Sequence, residues 1–152
     1  LTPRPARPAD LDGLRPGWEA LVAWGRARDP RFVLGSGAWP ERRRQLAHGG
    51  LSGPWPHAWV IDDGAQIQAF LLGAAAGPTW LVSPPTAVIH DLWVAEAHRR
   101  RGLGRALVDA WREAAARGGA GAFEVDTLTL DVDALAFWRA AGFGPWRTTL
   151  RA

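Results

Sequence analysis

The chain of 152 residues contains no cysteine, no tyrosine and no lysine. Each absence removes a class of chemistry. Without cysteine there are no disulfides, no thiolate metal ligands and no cysteinyl intermediate in a group transfer. Without lysine the phosphate loop of nucleotidases, which requires that ammonium, is excluded. Without tyrosine no phenol can hand a proton to a leaving group. Long apolar runs are also missing. No stretch approaches the roughly 18 apolar residues of a membrane span, and Leu1-Thr2-Pro3-Arg4-Pro5 has no signal-peptide core. A cytoplasmic location is the expectation.

What is present suits one globular domain spanning residues 1–152, with 47% hydrophobic and 22% charged residues. The isoelectric point of about 11.1 suggests a nucleic-acid binder. The charge balance argues otherwise: 18 arginines face 15 carboxylates, for a net charge of only +3. With no Lys, Tyr or Cys, almost nothing titrates between histidine and arginine, so a small excess moves the neutral point far up. Two short basic runs stand out, Arg42-Arg43-Arg44 and Arg99-Arg100-Arg101. The first is read as the wet face of a short helix.

Along the chain, Pro3, Pro5 and Pro8 hold the start extended, compatible only with an edge strand. Asp10 opens a helix over Leu11 to Arg28 with Leu14, Trp18, Leu21 and Val22 on one stripe, weakened by Pro16 and Gly17. Asp29-Pro30 breaks it, and a second helix is expected over Trp39 to His48. After a Gly/Pro loop over residues 51–56, strands at 57–61 and 66–72 flank Asp62-Asp63-Gly64, a hairpin signal. Thr79 to Ser83 extends or caps the second strand. Strand Ala87 to Val94, helix Leu103 to Arg117, strand Ala122 to Leu130, a short helix capped by Asp131 and a final extended piece Phe143 to Leu150 complete the order. The third helix carries Leu103, Ala106, Leu107, Ala110, Trp111 and Ala114 as its apolar stripe.

The turn between strand and third helix is the most informative stretch. The first N–H groups of a helix lack intrahelical partners and carry the positive end of its dipole, and glycines let a ligand approach the main chain. Three arginines precede those amides, so a phosphate or pyrophosphate is the natural guest. A dinucleotide fingerprint would need Gly or Ala where Leu107 stands. The spacing Arg99-x-x-Gly102-x-Gly104 instead resembles the Arg/Gln-x-x-Gly-x-Gly/Ala signature of the GNAT superfamily of N-acetyltransferases. Asp131-x-x-Ala134-x-x-Phe137-Trp138-x-x-x-Gly142-Phe143 resembles that family's Asn-x-x-Ala-x-x-hydrophobic-Tyr-x-x-x-Gly-Phe segment, and the element order matches over essentially the whole chain.

The resemblance implies an α/β (α+β) fold: a mixed, mostly antiparallel central sheet flanked by helices and closed by a hairpin. It implies acetyl-CoA as cosubstrate and no metal. The main chain of Leu92, Trp93 and Val94 would pair with the pantetheine arm like an added strand and offer N–H groups to the thioester oxygen. Arg99, Arg100, Arg101, Gly102, Leu103, Gly104 and Arg105 would hold the pyrophosphate, with Asp131 and Trp138 beside the arm. The general base is expected at His90 or Asp91, and histidine titrates unperturbed near neutrality. Strand alternation turns one of the two toward the cleft. Trp18, Trp24 and Trp39 are candidates for the acceptor side, while Glu96 and His98 are read as solvated loop residues.

Two positions depart from the family pattern. Trp138 stands where a tyrosine usually protonates the departing thiolate, and an indole N–H is no proton source near neutral pH. Asp131 replaces asparagine and adds negative charge beside the arm. The implied reaction is acetyl transfer to a primary amine by direct attack, without a covalent enzyme intermediate. The alternative is a catalytically weak or inactive acyl-CoA-binding module. The expected partner is a small-molecule or peptide amine, with no nucleic acid and no membrane, and the resemblance is compatible with a homodimer. Glu124, Asp126, Asp131 and Asp133 give a mild preference for a cationic acceptor.

Overall fold

The Asp-Gly turn sets the middle of the sheet. Gly64 adopts φ 89°, while Asp62 accepts the Gly64 N–H at 3.0 Å and Asp63 accepts that of Gln66 at 2.8 Å. In the computed structural model, which describes residues 1–51, 55–76 and 85–150, this turn folds β2 (Ala58–Asp62) onto β3 (Ile67–Ala76). β1 (Arg4–Pro5) joins antiparallel to β2, and β4 (Thr86–Val94) antiparallel to β3. β5 (Ala122–Val125) runs parallel to β4, so the order is β1-β2-β3-β4-β5, a mixed and mostly antiparallel sheet. Gly77-Pro78 and Thr79 to Ser83 fall outside the described residues, as do residues 52–54 of the loop expected over 51–56.

Each face of the sheet is covered by two helices. α1 (Leu11–Arg28) and α2 (Ala38–Gln45) bury Leu11, Leu14, Trp18 and Trp39 against Val60, Phe70 and Leu72. On the other side α3 (Leu103–Arg117) and α4 (Val132–Ala140) bury Leu107, Val108, Trp111 and Trp138 against Trp59, Ile61, Leu71 and Ile89. Each such side chain withdrawn from water stabilises the fold by about 1.5–3 kcal/mol. The deepest line of α3 includes Val108 and Ala115, one residue round from the expected stripe. α2 ends at Gln45, and Leu46–Gly50 continues as a single wide π turn where more α-helix was expected.

Pro16 and Gly17 do not interrupt α1. Gly17 is what seats the helix: a Cβ there would lie 2.7 Å from the Trp93 ring and 2.8 Å from Phe70. Glycine thus lets α1 approach β4 more closely than alanine could.

Two expectations at the far edge need correction. β5 ends at Val125 and does not run to Leu130, because the chain leaves the sheet at Asp126 and Asp131 is drawn back to cap α4. Beyond α4 the described residues contain no strand. Phe143 packs edge-on against Trp138 with ring centroids 5.5 Å apart, and the residues from Gly144 to Leu150 are exposed. Arg147 reaches back to Glu124 at 2.8 Å. The closing hairpin is therefore absent among the described residues, and β5 is an edge of the sheet.

Candidate active site

The site arises where β4 and β5 part. Their parallel ladder ends at Ile89 opposite Val125, with one further bond from the Asp126 N–H to the Ile89 carbonyl at 3.1 Å. β4 continues to Val94, paired only on its β3 side, where Leu92, Trp93 and Val94 face Leu71, Phe70 and Ala69. Its other edge opens on a cleft of about 1100 Å³. One wall is the segment from Leu92 to Arg105, the other the loop and α4 from Asp126 to Ala140, and residues 20–25 of α1 with Phe32 form the floor. Backbone groups on an open strand edge are a template for an added strand.

At the end of that edge stands the N-terminus of α3. Gly102 occupies its cap position at φ 83°, and no side chain caps the helix. The first bond of this end runs from the Ala106 N–H to the Gly102 carbonyl at 2.9 Å, so the amides of Leu103, Gly104 and Arg105 precede the helical ladder. Gly102, Leu103 and Gly104 line the cleft. A Cβ at Gly104 would point at Phe137 and Leu92, 3.5 and 3.7 Å away, both cleft-lining side chains. This is a cradle that a larger side chain would fill. Arg100 has the left-handed φ of 61°, unusual for a residue with a Cβ. Together the turn concentrates backbone donors and positive charge at one mouth of the cleft.

The arginines divide their work. Arg99 donates to the Val94 carbonyl at 3.1 Å and lies 5.4 Å from the Trp24 ring, fixing the end of β4. Arg100 lines the cleft, whereas Arg101 is exposed and outside its lining. Arg105 is tied to Asp109 at 2.8 Å and to the Ala140 carbonyl at 3.1 Å, clamping α3 to α4.

Simple alternation does not decide between His90 and Asp91. Asp91 pairs with Leu72 and Ile89 with Gly73, which leaves His90 as the extra residue of a bulge. Gly73 makes the bulge possible, since a Cβ there would lie 2.6 Å from the Val88 carbonyl oxygen. Both side chains border the cleft. Asp91 accepts a 2.7 Å hydrogen bond from Arg42 of α2, with both side chains mostly buried, so its charge is already matched. That ion pair ties β4 to α2 and makes Asp91 a strut between them. His90 is 38% exposed and touches Asp126, Nδ1 to Oδ2 at 3.0 Å.

Asp131 and Trp138 occupy the opposite wall. Asp131 is almost buried, accepting the Ala134 N–H at 3.1 Å as the cap of α4 and the Trp24 indole N–H at 2.9 Å. Arg28, stacked 3.3 Å from that indole on the same helix, brings its Nε to 3.7 Å from Asp131, so α1 and α4 are joined across the cleft through Asp131. Trp138 is 7% exposed, wedged edge-on between Phe137 and Phe143, and still borders the cleft. Of the three tryptophans expected on the acceptor side, only Trp24 lines this cleft. Trp18 and Trp39 are buried against each other with centroids 5.4 Å apart.

Sequence reasoning missed three residues here. His98, read as solvated, is half-buried in the cleft wall with its Nδ1 buried and unpartnered among the described residues. Arg28 and Phe32 reach the site only through the packing of α1 on the sheet, which no local pattern encodes. Among the described residues there is no group of three or more His, Cys, Asp or Glu able to hold a metal ion, and no helix long and apolar enough to cross a membrane.

The fold recurs in solved structures. The BH1408 protein of Bacillus halodurans, as a tetramutant, superposes with a TM-score of 0.79 at 17% identity, covering 100% of this chain and 99% of that one. Aminoglycoside N-acetyltransferase AAC(6')-Iy, in complex with CoA, gives 0.72 at 13% identity over 99% and 96% of the two chains. Aminoglycoside 6'-N-acetyltransferase AAC(6')-IG from Acinetobacter haemolyticus gives 0.72 at 18% identity over 100% and 97%. No curated protein matches the sequence. The model of the acetyltransferase (GNAT) family, however, matches residues 18–143, which include the open edge of β4, the α3 turn and α4. With that match added to the splayed sheet, the chain belongs to the GNAT family of acetyltransferases.

Proposed function

We propose that the protein transfers the acetyl group of acetyl-CoA to a primary amine of a small molecule by direct attack. The observation that carries this reading is the open β4 edge leading to the uncapped N-terminus of α3. In this reading the main chain of Leu92 to Val94 holds the pantetheine arm, the amides of Leu103 to Arg105 with Arg100 hold the pyrophosphate, and Gly104 keeps the cradle clear. The thioester supplies an activated acyl carbon when bound. A chain without cysteine offers no thiol to take the acyl group first, which favours direct transfer. His90 serves as the base for the incoming amine, because Asp91 is held by Arg42. The AAC(6') neighbours, named for aminoglycosides, make a polycationic small-molecule amine the first acceptor class to assay.

Calorimetric titration with acetyl-CoA tests the cradle. Saturable binding that Gly104→Glu abolishes supports it, and no binding to the unaltered protein would falsify it. Thiol release against a panel of amines then tests transfer. Trp138 favours a second reading, an acyl-CoA-binding module with little turnover, since no phenol stands where a leaving thiolate would be protonated. Tight binding without thiol release for any amine in the panel selects that reading.

A further inference from the structure

We infer that Asp126 is a positioning residue for His90, fixing the tautomer and direction in which the imidazole works. The inference rests on the reading of His90 as the base. The register of the sheet brings the two together: Ile89 and Val125 are the last pair of the β4–β5 ladder, and His90 and Asp126 are the residues that follow them in the chain. Asp126 is pinned beside His90 through its own backbone bond to the Ile89 carbonyl, 3.1 Å. His90 is the extra residue of the β4 bulge, so its direction is not set by pairing with β3. A carboxylate partner sets it instead, with Nδ1 and Oδ2 3.0 Å apart.

An ionised carboxylate only accepts hydrogen bonds, so the contact requires the proton on Nδ1 and leaves the lone pair of the neutral ring on Nε2. As the N–C bond forms and the C–S bond breaks, Nε2 takes the proton shed by the acceptor nitrogen. The C–S electron pair stays on sulfur, which solvent protonates. Asp126 remains ionised throughout and faces the imidazolium that results. Three other carboxylates of this region have different partners, Asp91 with Arg42, Glu124 with Arg147 and Asp131 with Trp24 and Arg28, while Asp133 lines the cleft from the first turn of α4. Asp126 therefore has a defined task, distinct from a general acidic lining.

Nitrogen-15 NMR of the full chain, at a pH where His90 is neutral, reads the tautomer without any acceptor. The expected signal is Nδ1-protonated His90 in the unaltered protein, lost in Asp126→Ala and regained in Asp126→Glu. Thiol release with acetyl-CoA and a fixed panel of an aminoglycoside, a polyamine and a lysine peptide reads the consequence. Asp126→Ala should lower kcat by about 10-fold or more with the KM for acetyl-CoA unchanged, and Asp126→Glu should restore part of it. An Nε2-protonated ring in the unaltered protein overturns the inference. So does an Asp126→Ala enzyme within about twofold of the original kcat while His90→Gln is inactive. A His90→Gln enzyme at full rate overturns the base assignment itself, and the role of Asp126 with it.

Discussion

Among single residues, Trp138 sets the sharpest test of chemistry. It sits at the cleft wall with two phenylalanine edges against it, and its indole cannot release a proton near neutrality. Replacing it by tyrosine puts a phenol on that wall. Trp138→Tyr should raise kcat for thiol release by about 100-fold, the low end of what a general acid contributes, while acetyl-CoA affinity stays level. Loss of part of the indole should cost about 1–2 kcal/mol of stability, read by denaturant unfolding. A folded Trp138→Tyr protein with unchanged kcat would mean that the thiolate leaves unaided. Residue identities at this site were legible where the main chain does the work. The glycine spacing of the α3 turn and the cap at Asp131 are local patterns with one physical meaning each. The choice between His90 and Asp91 was not legible, because it depends on a bulge and on Arg42, a partner 49 positions away in sequence.

At the scale of elements, the helices and the β2–β3 turn were readable from periodicity and from Asp-Gly chemistry, both of which act within a few residues. The ends of β5 and the fate of Phe143 to Leu150 were not, since a strand exists only where a neighbour is present to complete its ladder. Gly17 shows the same contrast within one helix. By propensity alone both Gly17→Ala and Gly13→Ala should stabilise α1 by up to about 1 kcal/mol. At Gly13 an added Cβ meets the tip of the Ile67 side chain at 3.2 Å, which can give way. At Gly17 it meets the Trp93 ring at 2.7 Å, and that ring is stacked on Phe70 with centroids 5.6 Å apart. Gly13→Ala should therefore be neutral or slightly stabilising in urea unfolding, and Gly17→Ala destabilising by about 1–3 kcal/mol. Because Trp93 lies on the cleft strand, Gly17→Ala should also weaken acetyl-CoA binding, whereas Gly13→Ala should leave it intact. Equal stabilities for the two variants would refute the seating of α1 on β4.

For the molecule as a whole, two distant groups shape how stability responds to acid, the second alongside Asp12 and Asp63, which Arg43 and the β2–β3 turn also hold below the ordinary carboxylate range. His57, between α2 and β2, has its Nε2 buried without a partner among the described residues, and burial lowers its pKa below the ordinary 6.5. Once the pH falls below 6.5 the unfolded chain takes up a proton that the folded chain resists, so stability declines across that window. Asp10 acts lower on the scale. Arg4 grips it with hydrogen bonds of 2.8 and 3.0 Å, Arg7 adds a backbone N–H, and its pKa falls below the ordinary 3.8. Its contribution is complete above 3.8 and is lost as pH falls through its lower folded value. Since Arg4 also holds Asp62 of β2 at 2.6 Å, protonating Asp10 loosens the chain's first strand together with the start of α1. Urea unfolding at a series of pH values should show two descending steps, one below neutrality and one in strong acid. His57→Gln should flatten the first step and leave the second, and Asp10→Asn should leave the first and reduce the second. A first step that survives His57→Gln unchanged would assign it to another group and remove the buried imidazole from this account.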